Sequence, residues 1–252
     1  MTEEKDSYMQ DEMINKLIAN QEEIIAQNRE IIYSQIFHDT IKGSEWLPED
    51  FPFSPGREAF GYPALYVLYR ILNEFRPVDI LETGLGQSTK MISMYSRHKR
   101  DCRHCIVEHD GEWIGFFRNH FQMPETTEIM QLPIMDADID LGEEGKSNVT
   151  TYSGFSRALE GRKFDFMCID GPYGFRSPVY SRIDLIGILP GCLKERFVIL
   201  LDDCHRQGEL NTLNMMASKL NDEGIECSCC VYNGEKGTGL LVSKGLSFLC
   251  SM

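Results

Sequence analysis

Five acidic residues in this chain each stand at the end of a short apolar run: Glu82, Glu108, Asp170, Asp202 and Asp203. Carboxylates so placed can accept hydrogen bonds from a ligand, take a proton from a reacting hydroxyl, or bind a hard cation such as Mg2+. Glu82 opens the stretch Glu-Thr-Gly-Leu-Gly-Gln-Ser-Thr, residues 82–89, in which Gly84 and Gly86 let the backbone come close to a bound molecule. A dinucleotide fingerprint would place a third glycine at position 89, and Thr89 stands there instead. His205 and Arg206 follow the last acids directly, and Tyr173 and Arg176 follow Asp170.

The elements that must position these residues alternate. Apolar strands are expected over residues 78–83, 104–110, 127–134, 164–171 and 196–203, each followed or preceded by a helical pattern. Those helices are expected over 64–75, 89–99, 111–121, 152–161, 182–193 and 210–224, with the polar stretch 135–148 read as a loop. Strands that are apolar on both faces and alternate with helices imply a mostly parallel sheet covered on both sides. In such sheets ligands lie beyond the carboxyl ends of the strands, where the five acids fall. Residues 226–232 and 240–243 read as two strands joined by a turn, so the sheet ends in an antiparallel hairpin. Lys236, in that turn, is expected to be exposed.

Ahead of the sheet, residues 14–36 carry apolar residues on one helical face. Leu17, Ile24 and Ile31 are spaced by seven, as are Ile18, Ile25 and Ile32, with Gln21 and Asn28 between the two lines. This heptad pattern predicts a self-associating helix; the alternative is an amphipathic helix packed on its own domain. Residues 1–45 are therefore read as an N-terminal helical segment and 46–252 as the main domain. The Pro- and Gly-punctuated connector 46–63 precedes the first strand, where Arg57 and Tyr62 could help fold a lid over a ligand.

Composition narrows the function. The net charge of −14 opposes a broad nucleic-acid-binding face. No apolar run approaches ~18 residues, so no membrane span is expected, and the acidic N-terminus is unlike a secretory signal. Nine scattered cysteines read as reduced thiols, which places the expected location in the cytoplasm. The clusters Cys102/Cys105 and Cys227/Cys229/Cys230 lack the paired turns of a structural zinc site.

The spacing acid-x-Gly-x-Gly-x-small, filled by Glu82, Gly84, Gly86 and Ser88, together with the terminal hairpin, resembles class I methyltransferases that use S-adenosylmethionine. The blocks "VEHDGEWI", "FDFMCIDGPYGF", "RIDLI" and "LLDDCHRQGE" are similar to those of glucuronoxylan 4-O-methyltransferases and related polysaccharide methyltransferases. That resemblance covers roughly residues 78–220, with Tyr173 standing where the family favours Arg. It implies a Rossmann-like, doubly wound, mostly parallel seven-stranded α/β sheet with a C-terminal antiparallel hairpin.

The same resemblance implies S-adenosylmethionine as cofactor. Gly84, Gly86, Gln87 and Ser88 would hold its methionine part, with Glu82 near the ammonium group. Glu108 and His109 would meet the ribose, Asp136 the adenine, and Asp170 would lie beside the methyl group. Trp113 would border the adenine or pack as core.

An alcohol acceptor must also lose its proton, and Asp170, Asp203 and His205 are the candidate bases. Tyr173, Arg176 and Arg206 are the candidate substrate contacts, the arginines as a clamp for a uronic-acid carboxylate, unless Arg206 simply pairs with Glu209. Asp170, Asp202 and Asp203 could hold Mg2+. Metal-dependent catechol-type methyltransferases carry acids after these two strands, but with Asp-Asn rather than Asp202-Asp203. The leading expectation is an O-methyltransferase of a sugar or polysaccharide hydroxyl. A small-molecule methyltransferase of phenols or natural products, or a non-catalytic interaction module, are the alternatives.

Overall fold

The computed structural model describes residues 2–56, 58–140 and 146–251. Its sheet contains β1 (Asp79–Thr83), β2 (Arg103–Glu108), β3 (Thr127–Gln131), β6 (Phe164–Ile169), β7 (Leu193–Leu201), β8 (Cys227–Asn233) and β9 (Gly237–Ser243). The strand order is β3-β2-β1-β6-β7-β9-β8, parallel from β3 to β7 and antiparallel through β9 and β8. The expected doubly wound sheet with a terminal hairpin is what forms.

Strands β1 and β6 are buried along their whole length, and β7 over its last five residues, because side chains of alternating residues enter two different cores. Ile80, Phe166, Cys168, Val198 and Leu200 point to one face. Leu81, Met167, Ile169, Ile199 and Leu201 point to the other. This is the two-residue period of a strand with helices on both sides. The first face is covered by α2 (Tyr62–Arg70), which continues into a π-helical turn over Ile71–Phe75, and by α3 (Gln87–His98). The second is covered by a short α5 (Phe155–Ala158) and by α6 (Gln207–Asp222), while α4 (Gly111–His120) packs over Ile106 beside β1.

The N-terminal helix α1 runs over Thr2–Thr40, longer than the patterned stretch 14–36 and within the expected segment 1–45. Tyr33, Phe37 and Ile41, at and just past its end, are buried in the core shared with Ile80 and Phe166. The lines Leu17, Ile24, Ile31 and Ile18, Ile25, Ile32 are exposed, so the alternative of a helix packed along its own domain does not hold for this stretch.

Three local expectations are corrected. The stretch read as a loop forms a two-stranded antiparallel ribbon of β4 (Ile134–Asp140) and β5 (Lys146–Tyr152). Its first strand alternates Met135, Ala137, Ile139 with Asp136, Asp138, Asp140, the period of a strand. The helix expected over 182–193 is a single 3-10 turn, Ile183–Gly187. Arg182 just before it is left-handed at φ 53°, and Pro190 after it cannot donate to a continuing helix. The helix expected over 152–161 shrinks to four residues between Gly154 and Gly161, both at positive φ.

Candidate active site

A cavity of about 450 Å³ opens at the carboxyl ends of β2, β1, β6 and β7. The strand order reverses between the parallel strands β1 and β6, the switch point at which such sheets bind ligands. Gly84 begins the turn after β1 at φ +87°, a conformation that favours glycine, and a Cβ there would press within 3.3 Å of the Asp170–Gly171 peptide. The turns after β1 and β6 therefore touch through backbone. A Cβ on Gly86 would meet nothing within 4 Å, so that wall stays open to a ligand.

Several predicted residues are brought together here. Gly84, Gly86, Gln87, Glu108, His109 and Asp170 line the cavity. Tyr173 and Phe175 border its outer part, and Asp203 and Arg206 line it further in. Trp113 also lines it, with Nε1 donating to Leu85 O at 2.7 Å. The roof is residues 58–60, from the connector between α1 and α2, fastened where Ser54 N donates to Gln87 Oε1. Of the two lid residues expected, Arg57 lies outside the described residues, and Tyr62 begins α2 near His38 instead.

Glu108 is placed to meet a ligand. Its Oε1 accepts from His109 N and Asp110 N, while Oε2 accepts only from Leu85 N at 2.9 Å and keeps a lone pair for the cavity. Others fall elsewhere. Glu82 is fully buried, pairs with His104 at 2.8 Å and accepts from Ser88 Oγ, so both of these expected cofactor contacts face inward beneath the turn. Asp136 sits on the ribbon, accepting from Thr150 Oγ1, and does not line the cavity. Arg176 stacks its guanidinium over Phe175, also away from the lining. His205 does not line the cavity either; it accepts from Gly237 N, and burial holds its pKa below the ordinary value.

Two residues that the sequence did not assign to the site, one of them Lys236, which was expected to be exposed, organise the inner wall. Arg182, 5% exposed, reaches Asp203 at 2.7 Å and Asp170 at 3.2 Å, and donates to the carbonyls of Pro172 and Asp202. Lys236 is 13% exposed rather than solvated, with Nζ 3.1 Å from Asp203 and 3.6 Å from Asp202. It arrives there because Gly237 lets the β8–β9 turn lie against the end of β7: a Cβ at Gly237 would fall 2.6 Å from His205 N. Arg182 and Asp203 are two of the non-glycine residues at positive φ, at 53° and 63° among the described residues. Backbone strain thus concentrates at this ion pair. Arg206 pairs with Asp203 at 3.2 Å and Glu209 at 3.5 Å, so it is engaged within the protein rather than free as a clamp.

The charges set the protonation of the acids. Burial works to raise Asp203, but Arg182, Lys236 and Arg206 outweigh it and hold its pKa below the ordinary carboxylate value. Burial, with Asp203 as neighbour, lifts Asp202 to about 6. Burial pushes Asp170 well above the ordinary value, reinforced by Asp202 and Asp203 and only partly countered by Arg182. Its side chain is 21% exposed, toward the cavity.

Asp170, Asp202 and Asp203 present oxygens within 4.8 Å of one another, the separation a divalent cation would need. The Arg182 guanidinium and the Lys236 ammonium already stand 2.7–3.6 Å from these carboxylates and bring positive charge to all three. With two side-chain cations in the cluster, these carboxylates do not fit Mg2+. The cysteine clusters lie far apart, Cys102 and Cys105 at the start of β2 and the other three on the edge strand β8.

No family model and no curated protein matches this sequence. Among solved structures the chain is similar to cofactor-bound Rv0187 from MTB, 14% identical over 85% of this chain and 89% of that one, with a TM-score of 0.51. The fold is a Rossmann-like methyltransferase fold. More distant in shape is the SAH-bound Podospora anserina methyltransferase PaMTH1, 15% identical over 84% of this chain and 94% of that one, TM-score 0.48. The O-methyltransferase from Bacillus cereus in complex with SAH is 14% identical over 86% and 91%, TM-score 0.45.

Proposed function

We propose that the chain is an S-adenosylmethionine-dependent O-methyltransferase whose acceptor is a hydroxyl of a sugar or polysaccharide. The observation that carries this reading is Asp170. It is a cavity-facing carboxylate of raised pKa, set beside a cluster that is otherwise neutralised by the protein's own cations.

The cavity residues fit the cofactor: Gly84 and Gly86 admit close backbone approach, Glu108 keeps an acceptor for a ribose hydroxyl, and Trp113 offers an indole edge. Bound there, S-adenosylmethionine supplies an activated methyl group. What remains for the protein is to hold the acceptor oxygen in line and to remove its proton. Asp170 takes that proton as the oxygen is methylated. Asp203 is the poorer base, since Arg182 and Lys236 hold it ionised and engaged. Tyr173 and Phe175, 42% and 64% exposed at the mouth, form a platform for the C–H face of a pyranose.

The test is methyl transfer to a panel of sugar and uronic-acid glycosides against phenols, with wild type and Asp170→Asn. The variant is expected to lose about 10²–10⁴-fold in rate while cofactor affinity stays within a few fold. Asp170 cannot accept a proton while protonated, and its pKa is raised. The wild-type rate should therefore climb with pH through a midpoint above the ordinary carboxylate value of about 4. That limb should vanish from the residual rate of the variant. Transfer to phenols alone, or an unchanged rate in Asp170→Asn, would contradict the reading.

A further inference from the structure

We propose that the outward face of α1 is the contact through which a second copy of this chain docks. Residues 11–25 of α1 are exposed on every side, and the helix runs roughly 40 Å beyond Glu30 at 1.5 Å per residue. At 3.6 residues per turn, Leu17, Ile24 and Ile31 form one column and Ile18, Ile25 and Ile32 the adjacent one. Each is about half exposed or more, up to 64% at Ile31. Tyr33, Phe37 and Ile41, which enter the core, lie on the opposite side of the same helix axis. The chain's own domain is thus reached by one side of the helix and cannot cover the other. Helices draw most of their stability from packing an apolar face, and among the described residues nothing packs on this one.

The occupant is another copy for three reasons. Gln21 and Asn28 run between the two apolar columns at heptad spacing, and each finds its natural partner in the same residue of an identical helix, which fixes register. Nine acidic against three basic residues in 2–40 oppose an anionic membrane surface. Those acids do not prevent self-pairing, because the residues flanking the columns include Asn20 and Gln27, while Glu22 and Glu23 turn away from the contact. A specific interface buries about 800 Å² per partner, and a face of six large apolar side chains, each about half exposed or more, is of the kind that can contribute to one.

The experiment is sedimentation equilibrium on the full chain at micromolar concentration, for wild type, Ile18→Lys/Ile25→Lys and Asn28→Val. Wild type is expected at a whole multiple, two or more, of 28.9 kDa. The double lysine variant should sediment as a folded monomer, its near-UV spectrum unchanged because the substitutions are exposed. Asn28→Val should associate at least as tightly and with altered copy number. A monomeric wild type overturns the proposal, whether or not it binds lipid vesicles. So does an oligomer whose mass the lysines leave unchanged.

Discussion

Four carboxylates, Asp170, Asp202, Asp203 and Glu209, meet three side-chain cations, Arg182, Lys236 and Arg206, at the inner wall of the cavity. One carboxylate is left without a matching charge; burial raises the pKa of Asp170, Asp202 and Glu209 alike, and of these three Asp170 is the one that lines the cavity. With Arg182 and Lys236 already inside the cluster, methyl transfer should proceed without a metal. Activity in EDTA is expected to stay within about twofold of that in millimolar Mg2+, since no cation–carboxylate pair has to be replaced. Loss of activity in EDTA that Mg2+ restores would show that the ion displaces one of the side-chain cations. At this scale the sequence was partly legible. Glu108 and Asp170 could be read because they end apolar strands. Arg182 and Lys236 could not: each sits in a turn whose approach to β7 depends on a left-handed residue or a nearby glycine, Arg182 itself and Gly237.

Among elements, the root of α1 ties the roof of the cavity to the terminal hairpin. The Glu30 carboxylate accepts from Tyr62 N at the start of α2 and from Glu235 N in the β8–β9 turn, next to Lys236. Glu30→Ala leaves two backbone donors without that acceptor and is expected to cost about 1–2 kcal/mol. At roughly 2–4 °C per kcal/mol for a chain of this size, thermal unfolding should show a fall of several degrees. An unchanged Tm would mean that water serves those donors equally well. Long, strongly patterned elements such as α3 and α6 were legible because their apolar residues recur at helical spacing. The β4–β5 ribbon was hidden by its charge: Asp136, Asp138 and Asp140 made a loop of what is a strict two-residue alternation. The expected helix over 182–193 failed because its apolar residues serve a 3-10 turn and the segment after it, which fill the second core through Leu185 and Leu189 respectively.

Across the whole molecule, the sheet order follows from which strands are apolar on both faces. Strands β1, β6 and β7 can lie only in the middle, the more polar β3 lies at an edge, and the hairpin closes the other edge. That arrangement puts the switch point beneath Gly84 and brings Glu108, Asp170 and Asp203 to one cavity, which is why the candidate site's location was legible even where individual contacts were not. The central claim is that this cavity holds S-adenosylmethionine. Its most direct test is calorimetric titration of the wild-type chain and of Glu108→Gln with S-adenosylmethionine and S-adenosylhomocysteine. Micromolar binding of both by wild type, weakened at least about tenfold in the variant through loss of a charged acceptor, is the expected result. Folded wild-type protein that takes up neither ligand would contradict the claim, and with it the methyltransferase reading of the site.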